Sequence, residues 1–291
     1  MDIAPGVALE SAAPALPAAA AAFDTVAPRF DERFGAWRSV AAQRRAVRRR
    51  LLAAFPPGAR VLELGGGTGE DAAFLADAGR SVLLTDASPA MIEVARRKLA
   101  GRAVPASAEV CAAEAMETLA VDREAAGAAM FDGAFSNFAA LNCVTDLRPA
   151  ARGLARMLRP GAPALLVLFG PLPPGEVVVE TLRGRPRAAF RRLARGDVDA
   201  RLGGRAFTVR YHRPADVRTA FAPWFRLERT RGIGVFVPPS AAEPMISRFP
   251  RIVRALEMID RIVEAPLALL GDHVLYHLVR TDAPVPSTEG G

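Results

Sequence analysis

A chain of 291 residues, half of them apolar and a quarter charged, can bury a sizeable core and reads as globular. Its two cysteines, Cys111 and Cys143, and three histidines, His212, His273 and His277, form neither a disulfide framework nor a metal-ligand spacing, so no metal site is expected. The formal charge of +7 raises nucleic acid as a partner, but Lys98 is the only lysine and the arginines are scattered rather than gathered in one stripe, so none is expected.

Residues 1–20 are rich in alanine and proline without a period, which reads as a flexible tail. Asp2 and Glu10 stand where a signal peptide needs positive charge. No run of 18 apolar residues occurs, so no membrane span is expected, and a reducing, cytoplasmic location follows from the cysteine usage. From Phe23 to Phe55 the pattern is helical, with aromatics at Phe23, Phe30, Phe34 and Trp37, then a basic face ending at Pro56-Pro57-Gly58. Short apolar strands over 59–64, 81–86, 107–113, 131–137 and 162–170 follow, separated by helical patterns such as EDAAFLADAG and LRPAARGLARML. Ser88-Pro89 opens one of these helices with an N-cap and a first-position proline. Such alternation predicts a mostly parallel sheet with helices on both faces and its ligand at the carboxyl ends of the strands. Residues 171–211 read as a helical excursion returning on a short strand. A helix over HRPADVRTAFAPWF and a strand over RLERTRGIGVFV come next. A second helical insertion, 238–271, precedes a last strand, 273–280. The chain thus divides into a tail (1–20), cap helices with a ligand-binding core (21–170), a variable insertion (171–224), C-terminal strands (225–281) and a tail (282–291).

The glycines of VLELGGGTGED, residues 61–71, need an explanation, because glycine loses more entropy on folding than any other residue. A P-loop requires a lysine that is missing here. The dinucleotide fingerprint places its third glycine at Glu70; counted from Gly67, Ala72 meets only the looser ending. Carboxylates at Glu70 and Asp71 suit a pyrophosphate poorly at a helix start. The pattern Glu63-x-Gly65-x-Gly67-x-Gly69 suits a ligand with no phosphate and a positive charge. Glu63 can attract an ammonium or sulfonium, Asp86 can take two ribose hydroxyls, and Glu114 can accept from an adenine amino group.

These blocks resemble the class I S-adenosylmethionine (SAM)-dependent methyltransferases: ELGGGTG (63–69), LTDASPAMIEVAR (84–96), AAEAM (112–116), FDGAFSNFAALN (131–142) and LRPGAPALLVLF (158–169). The resemblance covers roughly residues 23–170 plus the last strand. It implies a doubly wound, mostly parallel seven-stranded α/β sheet with helical lid insertions. It further implies that Gly65, Gly66, Gly67 and Gly69 hold the methionine part of SAM. Asp86, with Ala87, would bind the ribose, and Glu114, with Ala115 and Met116, the adenine; Met91 is either adenine wall or core. Ser136, Asn137 and Phe138 would line the methyl-transfer site. Two departures stand out. Many small-molecule members close over SAM with an N-terminal tyrosine where this chain has Phe23 and Phe30; the hydroxyl contact is lost, though an aromatic face still attracts a sulfonium. Methylases of base and amide nitrogens often carry Asn/Asp-Pro-Pro-Tyr where this chain has Ser136-Asn137-Phe138-Ala139.

Methyl transfer from a sulfonium mainly needs alignment and exclusion of water. If a general base serves a hydroxyl acceptor, His212 is the first candidate and Tyr211 the second, with a plain helix-entry pair as an equal alternative. The arginines from Arg183 to Arg195 read as a solvated helix face, with attraction of an acidic substrate as the alternative. The N-terminal helices and the two insertions, 171–211 and 238–271, are expected to form a lid over the carboxyl edge of the sheet; the apolar face of 238–271 would line the pocket or make a dimer contact. The expected function is transfer of a methyl group from SAM to a small organic molecule, oxygen before nitrogen or carbon, by a monomer or homodimer. The alternatives are an RNA or protein methyltransferase and a catalytically silent SAM-binding subunit.

Overall fold

The computed structural model describes residues 16–286. Three helices come first: α1 (Ala18–Val26), α2 (Phe30–Gly35) and α3 (Arg38–Ala54). Helix α1 begins inside the stretch expected to be a tail. Its alanines are the strongest helix formers, and Ala20 and Ala22 are buried, so packing holds the first turn in place. Residues 1–15, the rest of that stretch, lie outside the described residues.

The core then alternates. Strand β1 (Arg60–Leu64) leads to α4 (Glu70–Asp77), β2 (Ser81–Asp86) to α5 (Pro89–Leu99), and β3 (Ala106–Val110) to α6 (Met116–Ala125). Strand β4 (Gly133–Ser136) leads to α7 (Arg148–Met157), and β5 (Pro163–Phe169) closes the parallel part. Strand β3 stops three residues short of its expected end, leaving Glu114 on a 3-10 turn just before α6.

After β5 come α8 (Pro174–Leu182), α9 (Pro186–Ala189) and an antiparallel pair, β6 (Asp197–Leu202) with β7 (Arg205–Arg210). One short strand was expected here, and a hairpin stands instead. Its turn is Gly203-Gly204, both with positive φ, the two-residue geometry that matches strand twist. Helix α10 (Pro214–Phe221), β8 (Phe225–Ile233), α11 (Pro250–Val263) and β9 (His273–Arg280) complete the chain.

The main sheet has seven strands in the order β3-β2-β1-β4-β5-β9-β8, with β9 antiparallel to both neighbours and the first five strands parallel. It is the doubly wound α/β arrangement expected. Alternate residues of each strand serve opposite faces: Leu62 and Leu64 pack towards α6, α7 and α10, whereas Val61 packs with α3, α4 and α5. The strand order reverses between β1 and β4, which opens a crevice at their carboxyl ends. The C-terminal segment is not free as it leaves the sheet: Trp224 Nε1 donates to the Pro284 carbonyl (3.1 Å) and Val285 packs on the core.

Candidate functional site

The crevice is a cleft of about 1050 Å³, its mouth included. The glycine turn forms its floor. At Gly66 a Cβ would run into the Leu84 side chain and the Glu63 carboxyl, so the protein itself demands glycine there. At Gly67 the situation differs: φ is +55° and a Cβ would meet nothing within 4 Å, so the backbone is bare towards the cleft it lines. Gly69 does not line the cleft. It occupies the left-handed N-cap of α4, where a Cβ would press on Ala95.

Asp86, at the end of β2, fixes this turn. Its Oδ2 accepts from Gly67 N (2.9 Å) and its Oδ1 from Ser88 N (2.8 Å). Burial raises its pKa, opposed by those two amide donors. Glu63, on β1, is only 2% exposed, and its Oε2 has no hydrogen-bond partner among the described residues. Burial first, then the neighbouring Asp71 carboxylate, pushes its pKa well above the usual glutamate range. An unpartnered buried carboxyl oxygen beside a bare glycine backbone fits a cationic ligand group that approaches closely.

Met91, Ala87, Ala113 and the exposed Glu114 line the far end. Ala115 and Met116 do not line it. Met116 is fully buried against Gly153 of α7, so it is core filler. Asn137 and Phe138 line the near end, but Ser136 is buried in the sheet and absent from the lining. Phe138 and Ala139 both take left-handed φ, 48° and 60°, a strained pair of non-glycine residues of the kind that clusters at functional sites. Asn137 Oδ1 accepts from Phe138 N (2.8 Å), and Ala139 N donates to the Val167 carbonyl (3.0 Å), which holds the pair.

Sequence reasoning missed Arg44 and Asp71. Asp71 accepts from Asn137 Nδ2 (2.7 Å) and from Arg48 Nε (2.7 Å). Arg44 lies 3.7 Å from the same carboxylate and over the Phe138 ring (4.8 Å), and it lines the cleft. The basic face of α3 was a signal for such a role, but not for which arginines turn inward.

The roof is α1 with the start of α2: Pro17, Ala19, Ala20, Phe23 and Phe30 line the cleft from above. Asp24 bonds Ser88 Oγ and Ala90 N (3.0 Å) at the start of α5. Asp31 accepts from Thr68 Oγ1 (2.6 Å) and pairs with Lys98 (2.7 Å). The β6–β7 hairpin supports α1 from outside, with Phe207 against Phe23 (6.1 Å).

The expected lid is therefore corrected in part: the N-terminal helices cover the cleft, but the two insertions do not. Among the described residues the cleft lining runs from Pro17 to Val144, and neither insertion contributes to it. Helix α11 packs instead on the outer flank of α3, drawn there by Glu257 with Arg45 (2.8 Å) and Glu264 with Arg50. The first insertion sends Arg192 into the protein, where it pairs with Glu176 and with Asp272 (2.7 Å), so that arginine is no part of a solvated face.

Tyr211 and His212 also lie outside the cleft. His212 is 5% exposed and its Nε2 bonds the Val144 carbonyl (2.8 Å); burial lowers its pKa. It ties the β7–α10 junction to the loop after β4. Tyr211 packs against Phe169 (5.8 Å), and burial raises its pKa. Cys111 and Cys143 do line the cleft, but burial pushes their thiols up to about 11 and about 12, so neither is an ionised nucleophile.

Residues 61–161 match the family described as a methyltransferase domain. No curated protein is similar enough in sequence to count as a match. Solved structures share the fold. The CcbJ methyltransferase from Streptomyces caelestis is 17% identical over 89% of this chain and 98% of that one, with a TM-score of 0.55. A putative SAM-dependent methyltransferase from Listeria monocytogenes is 16% identical over 83% and 98%, with a TM-score of 0.53. Magnesium protoporphyrin IX methyltransferase (ChlM) from Synechocystis PCC 6803, with bound S-adenosylhomocysteine, is 17% identical over 84% and 86%, with a TM-score of 0.50. Residues 61–161 thus match a methyltransferase domain, and the chain adopts the doubly wound sheet of these structures with this cleft at its switch point.

Proposed function

We propose that the chain methylates a small organic molecule, at oxygen by preference, inside the roofed cleft. The observation that carries this reading is the roof. Helices α1 and α2 cover the glycine turn and are held down by Asp24 and Asp31. A covered cleft suits a small molecule better than a strand of RNA or a protein surface.

SAM supplies an activated methyl carbon; a bond forms between it and the acceptor atom as the carbon–sulfur bond breaks and sulfur keeps the electron pair. The residues of this chain bind, align and exclude water. Asp86 is the partner for the ribose hydroxyls, with Ala87 beside it, and Met91 and Glu114 serve the adenine. Glu63, with the backbone of Gly65 to Gly67, receives the methionine end with its positive charge. Phe23 and Phe30 close over it from the roof, and Asn137 and Phe138 bound the place of transfer.

Among the described residues no histidine or tyrosine lines the cleft. Acceptors that ionise without help, such as a carboxylate or an acidic hydroxyl, therefore suit it best, and Arg44 is the cation there to meet one. The test is a methyl-transfer assay with labelled SAM against panels of small carboxylates, phenols and amines, with RNA and protein extracts in parallel. Label entering small acids or phenols supports the reading; label entering only RNA or protein overturns it.

A further inference from the structure

Helix α11 is built inside out. Its carboxylates face the protein: Glu257 meets Arg45 (2.8 Å) and Arg49 (3.6 Å), Glu264 meets Arg50, and Asp260 accepts from Phe236 N (2.7 Å) and Val237 N (3.2 Å). Val253 and Leu256 pack inward against Ala42 and Val237, but the remaining large apolar side chains face solvent. Ile252 is 49% exposed, Met258 67%, Ile259 42% and Ile262 79%, and Phe249 at the N-cap is 49% exposed. At 3.6 residues per turn, the isoleucines and Met258 fall on one arc, with Arg254 and Arg261 along its edge and Arg251 at its first turn. Arg251 and Arg254 are exposed and make no ion pair among the described residues. An exposed apolar stripe of this kind marks an interaction surface.

We infer that this face binds an anionic lipid surface, with α11 lying in the plane of the interface. The charge pattern selects that occupant. With every acid of the helix turned inward, its outer face presents only apolar groups and guanidinium groups. A second copy would bring the same arginines onto a surface that is already positive, in a chain of net charge +7. Anionic headgroups complement the arginines, and the isoleucines and Met258 fit the acyl boundary below them. No helix among the described residues is long and apolar enough to cross a membrane; an in-plane helix needs no such length.

The experiment is flotation of the full-length protein with vesicles of neutral phosphatidylcholine alone, or mixed equally with phosphatidylglycerol. The wild type is expected to float with the mixed vesicles and not with the neutral ones. The Arg251→Ala/Arg254→Ala variant is expected to bind roughly thirtyfold more weakly, from the usual contribution of each arginine near an anionic surface. The Ile259→Asp/Ile262→Asp variant is expected to stay in solution while retaining the wild-type affinity for S-adenosylhomocysteine, which shows it to be folded. Three results would overturn the inference: no flotation of the wild type with mixed vesicles, flotation unchanged in both variants, or a homodimer by light scattering that Ile259→Asp/Ile262→Asp splits into monomers.

Discussion

Replacing Glu63 by glutamine exchanges a buried carboxyl for a neutral group of the same shape, and it separates the two consequences of that carboxyl. Its Oε2 is without a partner among the described residues, and burial, then Asp71, raises its pKa well above 4.5. Between 4.5 and that raised value the folded state holds a proton that the unfolded state has lost, so this residue's contribution to stability declines as pH rises through the window. Glutamine has no such dependence. An unsatisfied buried acceptor costs about 1–3 kcal/mol, more when charged, and each kcal/mol moves the melting temperature of a chain of this size by roughly 2–4 °C. The variant is therefore expected to gain on the wild type in melting temperature as pH rises and to lose that advantage as pH falls and the wild-type carboxyl takes up its proton. The same substitution removes the charge that meets the cationic end of the cofactor. A charge-assisted contact of about 1.5–3 kcal/mol corresponds to roughly 10- to 150-fold weaker binding of SAM by calorimetry. If Glu63 serves the ammonium, S-adenosylhomocysteine weakens in parallel; if it serves the sulfonium, only SAM does. A variant that melts below the wild type at the higher pH and binds SAM unchanged would refute the reasoning on both counts.

Asp86→Ala strips the acceptor from Gly67 N and Ser88 N, so a stability loss of about 1–3 kcal/mol should accompany the disappearance of adenosyl-ligand binding in calorimetry; full-strength binding would show that the carboxylate is not part of the cofactor site. Gly66→Ala and Gly67→Ala should part company: the first collides with Leu84 and should fail to accumulate as soluble protein, whereas the second should fold, about 1–2 kcal/mol less stable from its left-handed φ, and bind SAM poorly. Equal behaviour of the two in expression and binding would contradict the different surroundings of these glycines. His212→Ala leaves the Val144 carbonyl without its donor and should lower stability by about 1 kcal/mol in chemical denaturation. The shape of the pH–rate profile should not change; loss of its ascending limb would make His212 the general base after all.

The residues legible in the sequence are those whose position along a strand fixes their place. Glu63 and Asp86 end adjacent parallel strands, paired in register from Arg60 with Ser81 onward, so the spacing alone brings both to one edge. Positions decided by a helix face were harder. Met116 follows Glu114 by two residues, yet the turn of α6 sends it into the core against Gly153. Arg44 and Arg48 were indistinguishable in sequence from Arg45 and Arg49, and only the docking of α3 turns the first pair towards Asp71 and the second towards Glu257. Tyr211 and His212 suggested chemistry because they adjoin and precede a helix; the β6–β7 hairpin carries them past the cleft to its outer side. The hairpin itself was readable from Leu202-Gly203-Gly204-Arg205, a turn signal between two alternating runs.

The way the roof is fastened has a kinetic consequence. Asp24 clamps α1 to the first turn of α5, Asp31 clamps α2 to Thr68 in the glycine turn and to Lys98 in the last turn of α5, and the Asp31–Lys98 pair is part-exposed. Counterions compete for charged contacts of that kind. The residence time of S-adenosylhomocysteine under the roof is then governed by ionic strength as well as by its own contacts, so salt should shorten the wait between turnovers while leaving the shape of the floor unchanged.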